Sequence, residues 1–396
     1  MLDTPSLQRL RVIAAGICAL ILTVGLARFA YTPMLPIMHD QAGLSYLNGG
    51  LLATINYAGY MSGALLAASI SDLGRKYALY RIGLVIAVLS TGAMGFTDNV
   101  MLWAALRYVA GLSSAAGLLL ASGLALNWLI RQGHRPELGL HFTGLGLGIA
   151  VSGLAVAAMS GWLPWDRLWL GLGLLCLVFF IPAWRWLPAP APLVASAAKT
   201  AAAAVAAVAP PSPRWLWLFI GAYFCAGFGF VIEATFSVAI LEKLPLFAGN
   251  GGLVWVAVGL AAAPACFIWD RIAAASGPVR SLLTAYGLQT LTIVLLAVSD
   301  NAIINLLSVM LFGGAFVGIV SLALSLIGRC FPENPAKAMA RMTLGYGVAQ
   351  ISAPALAGYL AAASGSYRGA LWITAVVMVI GMILLQALQR EGMRPS

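Results

Sequence analysis

Twelve predominantly apolar runs follow one another along this 396-residue chain, separated by short breaks that hold most of its charge. They cover approximately residues 12–38, 44–70, 78–97, 100–130, 138–162, 168–187, 215–241, 251–269, 279–298, 302–328, 339–363 and 368–389. Each is close to or above the ~20 residues that carry a helix across a bilayer's hydrocarbon core. The rest of the composition agrees: 62% of residues are hydrophobic and 9% charged, where a soluble domain carries about 25% charged residues. A cytosolic enzyme, a secreted disulfide scaffold and a disordered chain are therefore excluded. An open sheet would leave edge N–H and C=O groups unpaired in lipid. A barrel would show short alternating strands rather than long unbroken runs. The fold class expected is an all-α membrane protein of twelve transmembrane helices.

The net charge of +10 invites a nucleic-acid reading, but its placement points elsewhere. With both termini cytoplasmic, seventeen of the 22 Lys and Arg fall on the inner side, three fall outside (Arg167, Lys243, Arg368), and Arg28 and Arg107 lie within helices. Such a bias is the positive-inside pattern of a chain with an even number of spans. The cytoplasmic (inner) membrane is the location expected. The first apolar run is too long for a cleaved signal peptide, and further spans follow it. Trp162, Trp165, Trp184 and Trp186 suit an interfacial belt. The five cysteines form no CxxC motif or Cys/His cluster, so no metal site or disulfide framework is expected.

Between the sixth and seventh runs lies an Ala- and Pro-rich stretch, residues 188–213, with Lys199 as its only charge. It divides the chain into two six-helix halves, 1–187 and 214–396. The halves echo each other. Asp72-Leu-Gly74-Arg75-Lys76 after the second run is matched by Asp270-Arg271 after the eighth. Gly144-x-Gly146 in the fifth run is matched by Gly345-x-Gly347 in the eleventh. Parallel duplication of this kind occurs in transporters whose halves move about a midplane site.

These features together resemble the major facilitator superfamily over essentially the whole length. Asp72, Gly74 and Arg75 are similar to its inner-loop signature, one residue short of the usual spacing. The resemblance gives that acid, with Asp270 and Arg271 as the counterpart, a gating role at helix ends. Arg107-Tyr-Val-Ala-Gly111 is similar to the family's Arg-x-x-Gln-Gly, with Ala110 in place of Gln. Gly144-Leu-Gly-Leu-Gly148-Ile-Ala-Val-Ser152-Gly153 resembles the helix-five motif associated with proton-coupled exporters, without its Pro. The same glycines (Gly144, Gly148, Gly153) also read as a close-packing face. Gly25-Leu-Ala-Arg28-Phe-Ala-Tyr31-Thr-Pro33-Met-Leu-Pro36 looks like the opening of the YbfB/YjiJ-like branch. The resemblance implies a monomeric transporter with a small-molecule substrate and no cofactor.

Three ionised residues, Arg28, Arg107 and Glu233, lie deep inside apolar runs. Each costs ~2.5–3.5 kcal/mol at a helix centre. All three are nine to eleven residues from the nearest outer-side polar landmark (His39, Asp98, Glu242), which is about 14–17 Å along a helix. The family resemblance puts helices one, four and seven around a central cavity, so the three are expected to face one chamber. Two guanidiniums suit a carboxylate-bearing substrate, with Glu233 as the proton carrier. An Arg–Glu pair holding the halves together is the structural alternative, and Arg28 alone has the option of snorkelling to the interface. Tyr31, Asn56, Tyr57, Tyr60, Tyr346 and Gln350 are further candidates, either lining the cavity or hydrogen-bonding between helices. His141 reads as a gate or interface residue.

No G-x-x-x-x-G-K-[ST] is present, so proton-coupled alternating access is the mechanism expected. A proton-driven exporter of lipophilic cations, centred on Glu233, is the alternative within transport. A membrane-embedded enzyme would need clustered carboxylates or a metal site, and the sequence offers neither.

Overall fold

The computed structural model describes residues 5–134, 138–190, 211–331 and 335–392, so most of the stretch expected to link the halves, Lys199 included, lies outside the described residues. Twelve helical segments run through the rest. They are α1 (Leu7–Ala42), α2 (Tyr46–Ser69), α3 (Leu73–Phe96), α4 (Val100–Arg131), α5 (Leu138–Ser160), α6 (Trp165–Trp186), α7 (Pro213–Leu241), α8 (Gly251–Ala262 continuing as Ala265–Ser276), α9 (Pro278–Val298), α10 (Ala302–Cys330), α11 (Pro335–Ser364) and α12 (Arg368–Gly392). Ten are long and apolar enough to cross a membrane, and the bent α8 makes eleven. The remaining one, α11, is long enough but less apolar. It is wedged between α2 and α7, and its Gly, Ala, Ser and Gln suit helix contacts rather than lipid. Leu65, Leu89, Leu102, Leu174, Ile303 and Val376 stand exposed on the outside of the bundle, where lipid would cover them.

Short polar caps set the helix ends. Ser45, Asp72, Asn99, Ser212 and Asn301 each accept a hydrogen bond from a backbone N–H in the first turn of the helix that follows. Asp72 therefore starts α3 at Leu73, earlier than the hydropathy pattern alone suggests. In α8 the helix resumes after a bend of 40° at Pro264, so Asp270 and Arg271 lie within a helix and not in the loop expected there.

Two of the longest helices are not α-helical throughout. α1 passes through a π-helical stretch, Ile21–Phe29, before resuming at Tyr31, just ahead of Pro33 and Pro36, which lack N–H donors. α4 has a second π stretch, Ala116–Ala121. The two stretches are in contact, with Gly117 against Thr23 and the backbone of Ala19.

α1–α6, the first half of the helix order, and α7–α12, the second, meet along glycine seams. On α5, Gly146 and Gly153 touch the backbone of α8, at Ala263 and at Gly252 and Val256, and Gly259 returns the contact to Ala150. Across the bundle, Gly50 of α2 meets Pro354 and Gly358 of α11, while Gly347 of α11 receives Met61. The other glycines of the α5 motif, Gly144 and Gly148, face α1 at Ile17 and Gly25. Within the first half, Gly59 and Gly111 bring α2 and α4 together at Tyr108 and Asn56, which explains the glycine of the Arg107 motif. At Gly146 a methyl group would overlap the Ala263 backbone, whereas at Gly123 nothing lies within 4 Å. Gly146→Ala should therefore lower stability by about 1–3 kcal/mol and Gly123→Ala should not. Thermal unfolding of the purified chain in detergent separates the two.

On the face opposite the termini the halves are closed on each other. Thr32 Oγ1 donates to the Ala234 carbonyl at 2.6 Å. Tyr46 meets Tyr367 edge to face and its ring centroid lies 5.3 Å from Lys243 Nζ; within the second half, Tyr367 stacks on Phe236 and Lys243 Nζ donates to the Gly365 carbonyl. His39, Asp40, Tyr46, Glu242, Lys243 and Tyr367 line a cleft of about 180 Å³ there. Burial pushes the Glu242 carboxyl up from 4.5 to about 7. The Gly251 N–H opposes the shift, and Asp40 adds to it. Ionising Glu242 thus disfavours the closed arrangement relative to one in which water reaches it. The closed form is favoured at low pH and loses stability as pH rises from 4.5 through about 7. The melting temperature should fall over that window, and Glu242→Gln should flatten that fall.

Candidate functional site

The π stretch of α1 carries Arg28 near its end. Arg28 is 5% exposed, yet its guanidinium has no hydrogen bond or ion pair among the described residues. Aromatic rings hold it instead. Its Cζ lies 4.5 Å from the centroids of both Tyr57 and Tyr60 on α2, and 5.2 Å from Phe29. Such cation–π contacts favour a desolvated cation but leave its N–H donors in need of acceptors.

Arg107 on α4, 3% exposed, has a different assignment. Its Nη1 donates to the Ala27 carbonyl at 3.0 Å and its Nη2 to the Arg28 carbonyl at 3.1 Å, beneath the Tyr31 ring at 4.4 Å. These carbonyls lie at the end of the π stretch, where the backbone ladder changes register. Asn56 Nδ2 donates to the Arg107 carbonyl at 2.7 Å, and Tyr31 Oη donates to the Gly49 carbonyl at 2.9 Å. Arg107, Asn56 and Tyr31 are thus engaged with backbone. They hold α1, α2 and α4 in the arrangement that presents Arg28.

The second half supplies the opposite wall. Phe230 of α7 packs on Phe29 (6.3 Å), Tyr57 (6.5 Å), Phe316 (5.0 Å) and Tyr346 (6.0 Å), and Tyr346 lies 4.6 Å from Tyr223. Gln350 is buried one turn further along α11. The hydroxyls of Tyr57, Tyr60, Tyr223 and Tyr346, like the Gln350 amide, have no hydrogen-bond partner among the described residues. Phe230 and Tyr223 were not singled out from the sequence, because an aromatic residue in an apolar run carries no mark of the side it faces.

Glu233 does not join this group. It is fully buried, and its carboxylate lies against Gln289 and Thr292 of α9, although neither contact meets hydrogen-bond geometry. Ser237 and Gln289 nearby also have unpartnered side-chain atoms. Among the described residues Glu233 pairs with no Arg, so the single chamber expected for three charges resolves into two places. Arg28 adjoins Arg107 at the junction of the halves, and Glu233 sits inside the second half. Counting along the helices carries no information on the direction in which each side chain points. Phe230, one turn away on α7, faces the Arg28 group.

The remaining candidates are elsewhere. Asp72 is the exposed cap of α3, accepting from Arg75 N at 2.7 Å, and forms no ion pair among the described residues. Gly74, Arg75, Asp270 and Arg271 are exposed. His141 is buried between α5 and α4, with Nε2 2.7 Å from Ser122 Oγ. No cluster of His, Cys, Asp and Glu that would hold a metal occurs among the described residues.

Arg107→Ala would remove two buried hydrogen bonds from a charged donor, at about 1.5–3 kcal/mol each, whereas Arg28→Ala removes no hydrogen bond. The first should sharply reduce the monodisperse folded yield and the melting temperature, and the second should leave both near those of the unaltered chain. Size-exclusion recovery and thermal unfolding give the comparison.

The fold is shared with solved transporters. The nucleoside transporter NupG matches with a TM-score of 0.74 at 15% identity, over 98% of this chain and 100% of that one. A mutant of NupG matches at 0.77 and 13%, over 96% and 99%. A bacterial homolog of the human lysosomal transporter Spinster, in an inward-facing and occupied conformation, matches at 0.68 and 13%, over 98% of both chains. The family model described as "Uncharacterised MFS-type transporter YbfB" matches residues 20–386, nearly the full length, and the chain belongs to that family of membrane transporters.

Proposed function

We propose that this protein carries a small organic anion across the cytoplasmic membrane by alternating access, driven by protons. In this reading twelve spans with both termini inside form two halves, 1–187 and 214–396, joined by 188–213, and the monomer is the working unit. The observation that carries it is Arg28. A buried guanidinium at the junction of the halves, with ring faces around it and no carboxylate paired with it among the described residues, lacks the acceptor that a carboxylate substrate supplies through two parallel hydrogen bonds. Tyr60 and Tyr346 stand where they can add donors, and Gln350 lies one turn beyond Tyr346 on α11. Arg107, Tyr31 and Asn56 act by positioning Arg28.

Glu233 is the proton site in this scheme. An ionised carboxylate without a cationic partner is costly at that depth, so taking up a proton relieves it. α7 joins the two events, since Glu233 faces α9 while Phe230 on the same helix packs against Phe29 and Tyr346. A shift of α7 on protonation would reshape the wall opposite Arg28. Asp72, Gly74 and Arg75, with Asp270 and Arg271, would bias the cytoplasmic face through helix caps and exposed charge. A cation exporter centred on Glu233 fits less well, because its carboxylate has no exposed surface and the guanidinium faces the junction instead.

The test is transport of a panel of organic acids and cationic dyes in membrane vesicles, with and without a pH gradient. Arg28→Ala should reduce organic-acid transport at least about tenfold, the loss of one charge-assisted interaction. Glu233→Gln should abolish accumulation against the gradient while leaving downhill exchange. Unchanged transport in both variants, or transport of the dyes alone, would remove the assignment.

A further inference from the structure

Resting on the anion reading, the geometry points to a narrower substrate class: we infer that the Arg28 site takes aromatic monocarboxylates, one negative charge on a flat apolar body. Three observations lead there. The first is the number of available donor forks. Of the two guanidiniums at the site, Arg107 has both terminal nitrogens on the carbonyls of Ala27 and Arg28, whose dipoles offset its charge. Of these two, Arg28 alone has terminal nitrogens without a partner among the described residues. One fork matches one carboxylate, and a second carboxylate would be desolvated with nothing but tyrosine hydroxyls to meet it.

The second is the wall. Phe29, Tyr57, Tyr60, Phe230, Tyr223 and Tyr346 present rings from both halves within one connected set of centroid distances, 4.5 to 6.5 Å. A planar ring substituted for one of these contacts keeps edge and face packing that an aliphatic chain does not. Because the set spans α1 and α2 on one side and α7 and α11 on the other, a stacked ligand would touch both halves. The third is the absence of an acidic group among them. Glu233 is turned to α9, so nothing in the ring set attracts an ammonium, and Arg28 repels one. The hydroxyls of Tyr57, Tyr60, Tyr223 and Tyr346, without another partner among the described residues, are left to bond the carboxylate edge or a ring substituent.

Binding of benzoate, benzamide, propionate, succinate, uridine and benzylamine to the full-length chain in detergent tests this, read by tryptophan fluorescence and by ligand-induced thermal shift. Benzoate should bind at least about tenfold more tightly than each of the others. Arg28→Gln should bring benzoate down to the level of benzamide. Tyr346→Leu, which keeps the charge, should narrow the gap between benzoate and propionate. Succinate equal to or tighter than benzoate would overturn the single-charge claim and leave the anion reading standing. Propionate equal to benzoate would overturn the aromatic claim alone. If benzamide, uridine or benzylamine binds best, or if no probe binds a chain that unfolds cooperatively, both this inference and the anion reading fall. Arg28→Lys, which keeps the charge without the fork, should retain part of the preference for benzoate over benzamide and guards against a misfolded Arg28→Gln.

Discussion

A single guanidinium governs how the first half of this protein is put together. Arg107 places two N–H groups on the carbonyls of Ala27 and Arg28, at the point where α1 leaves its π stretch. In a bilayer, backbone polar groups at a helix irregularity find no water, so the end of the π stretch is where a donor from another helix counts most. Arg107 supplies it from α4, and Asn56 returns a bond from α2 to the Arg107 carbonyl. Three helices are tied at one level by backbone acceptors. The deepest charge in α4 is thereby a structural answer to the π stretch of α1, and its consequence is the orientation of Arg28.

Site and fold are linked by this arrangement more closely than by any shared motif. Arg28 is held by rings rather than by counter-charge. The rings come from α2, which itself rests on α4 through Gly59 and Gly111. Replacing those glycines would move the tyrosines before it touched the arginine. Across the junction, Phe230 and Tyr346 close the set from helices that also face each other through Gly227 and Tyr346.

Much of this was legible in the sequence, and the limits are physical. Hydropathy and charge placement gave the helix boundaries to within a few residues, because lipid leaves little choice about where polar groups sit. Intramembrane Arg28 and Arg107 stood out for the same reason. Depth followed from counting, but azimuth did not. From Ala222 onward α7 is almost uniformly buried, so no polar face announces that Glu233 points to α9 while Phe230 points to the junction. The π stretches were equally hidden, since nothing in Ile21–Phe29 departs from ordinary helical composition. Asp270 and Arg271 were read as a loop because charge usually ends a span. Here the helix bends at Pro264 and continues beyond them. α11 was read as an ordinary span, although its contacts with α2 and α7 account for its polar and small residues better than lipid does.

The glycine seams between α5 and α8 have a mechanical corollary. Where backbone meets backbone, no side chain of one half is inserted like a tooth into a socket of the other. Surfaces of that kind resist separation, through many short dispersion contacts, but offer little obstruction to sliding or tilting in their own plane. The join behaves as a plain bearing: cohesive along its normal, slippery along its length.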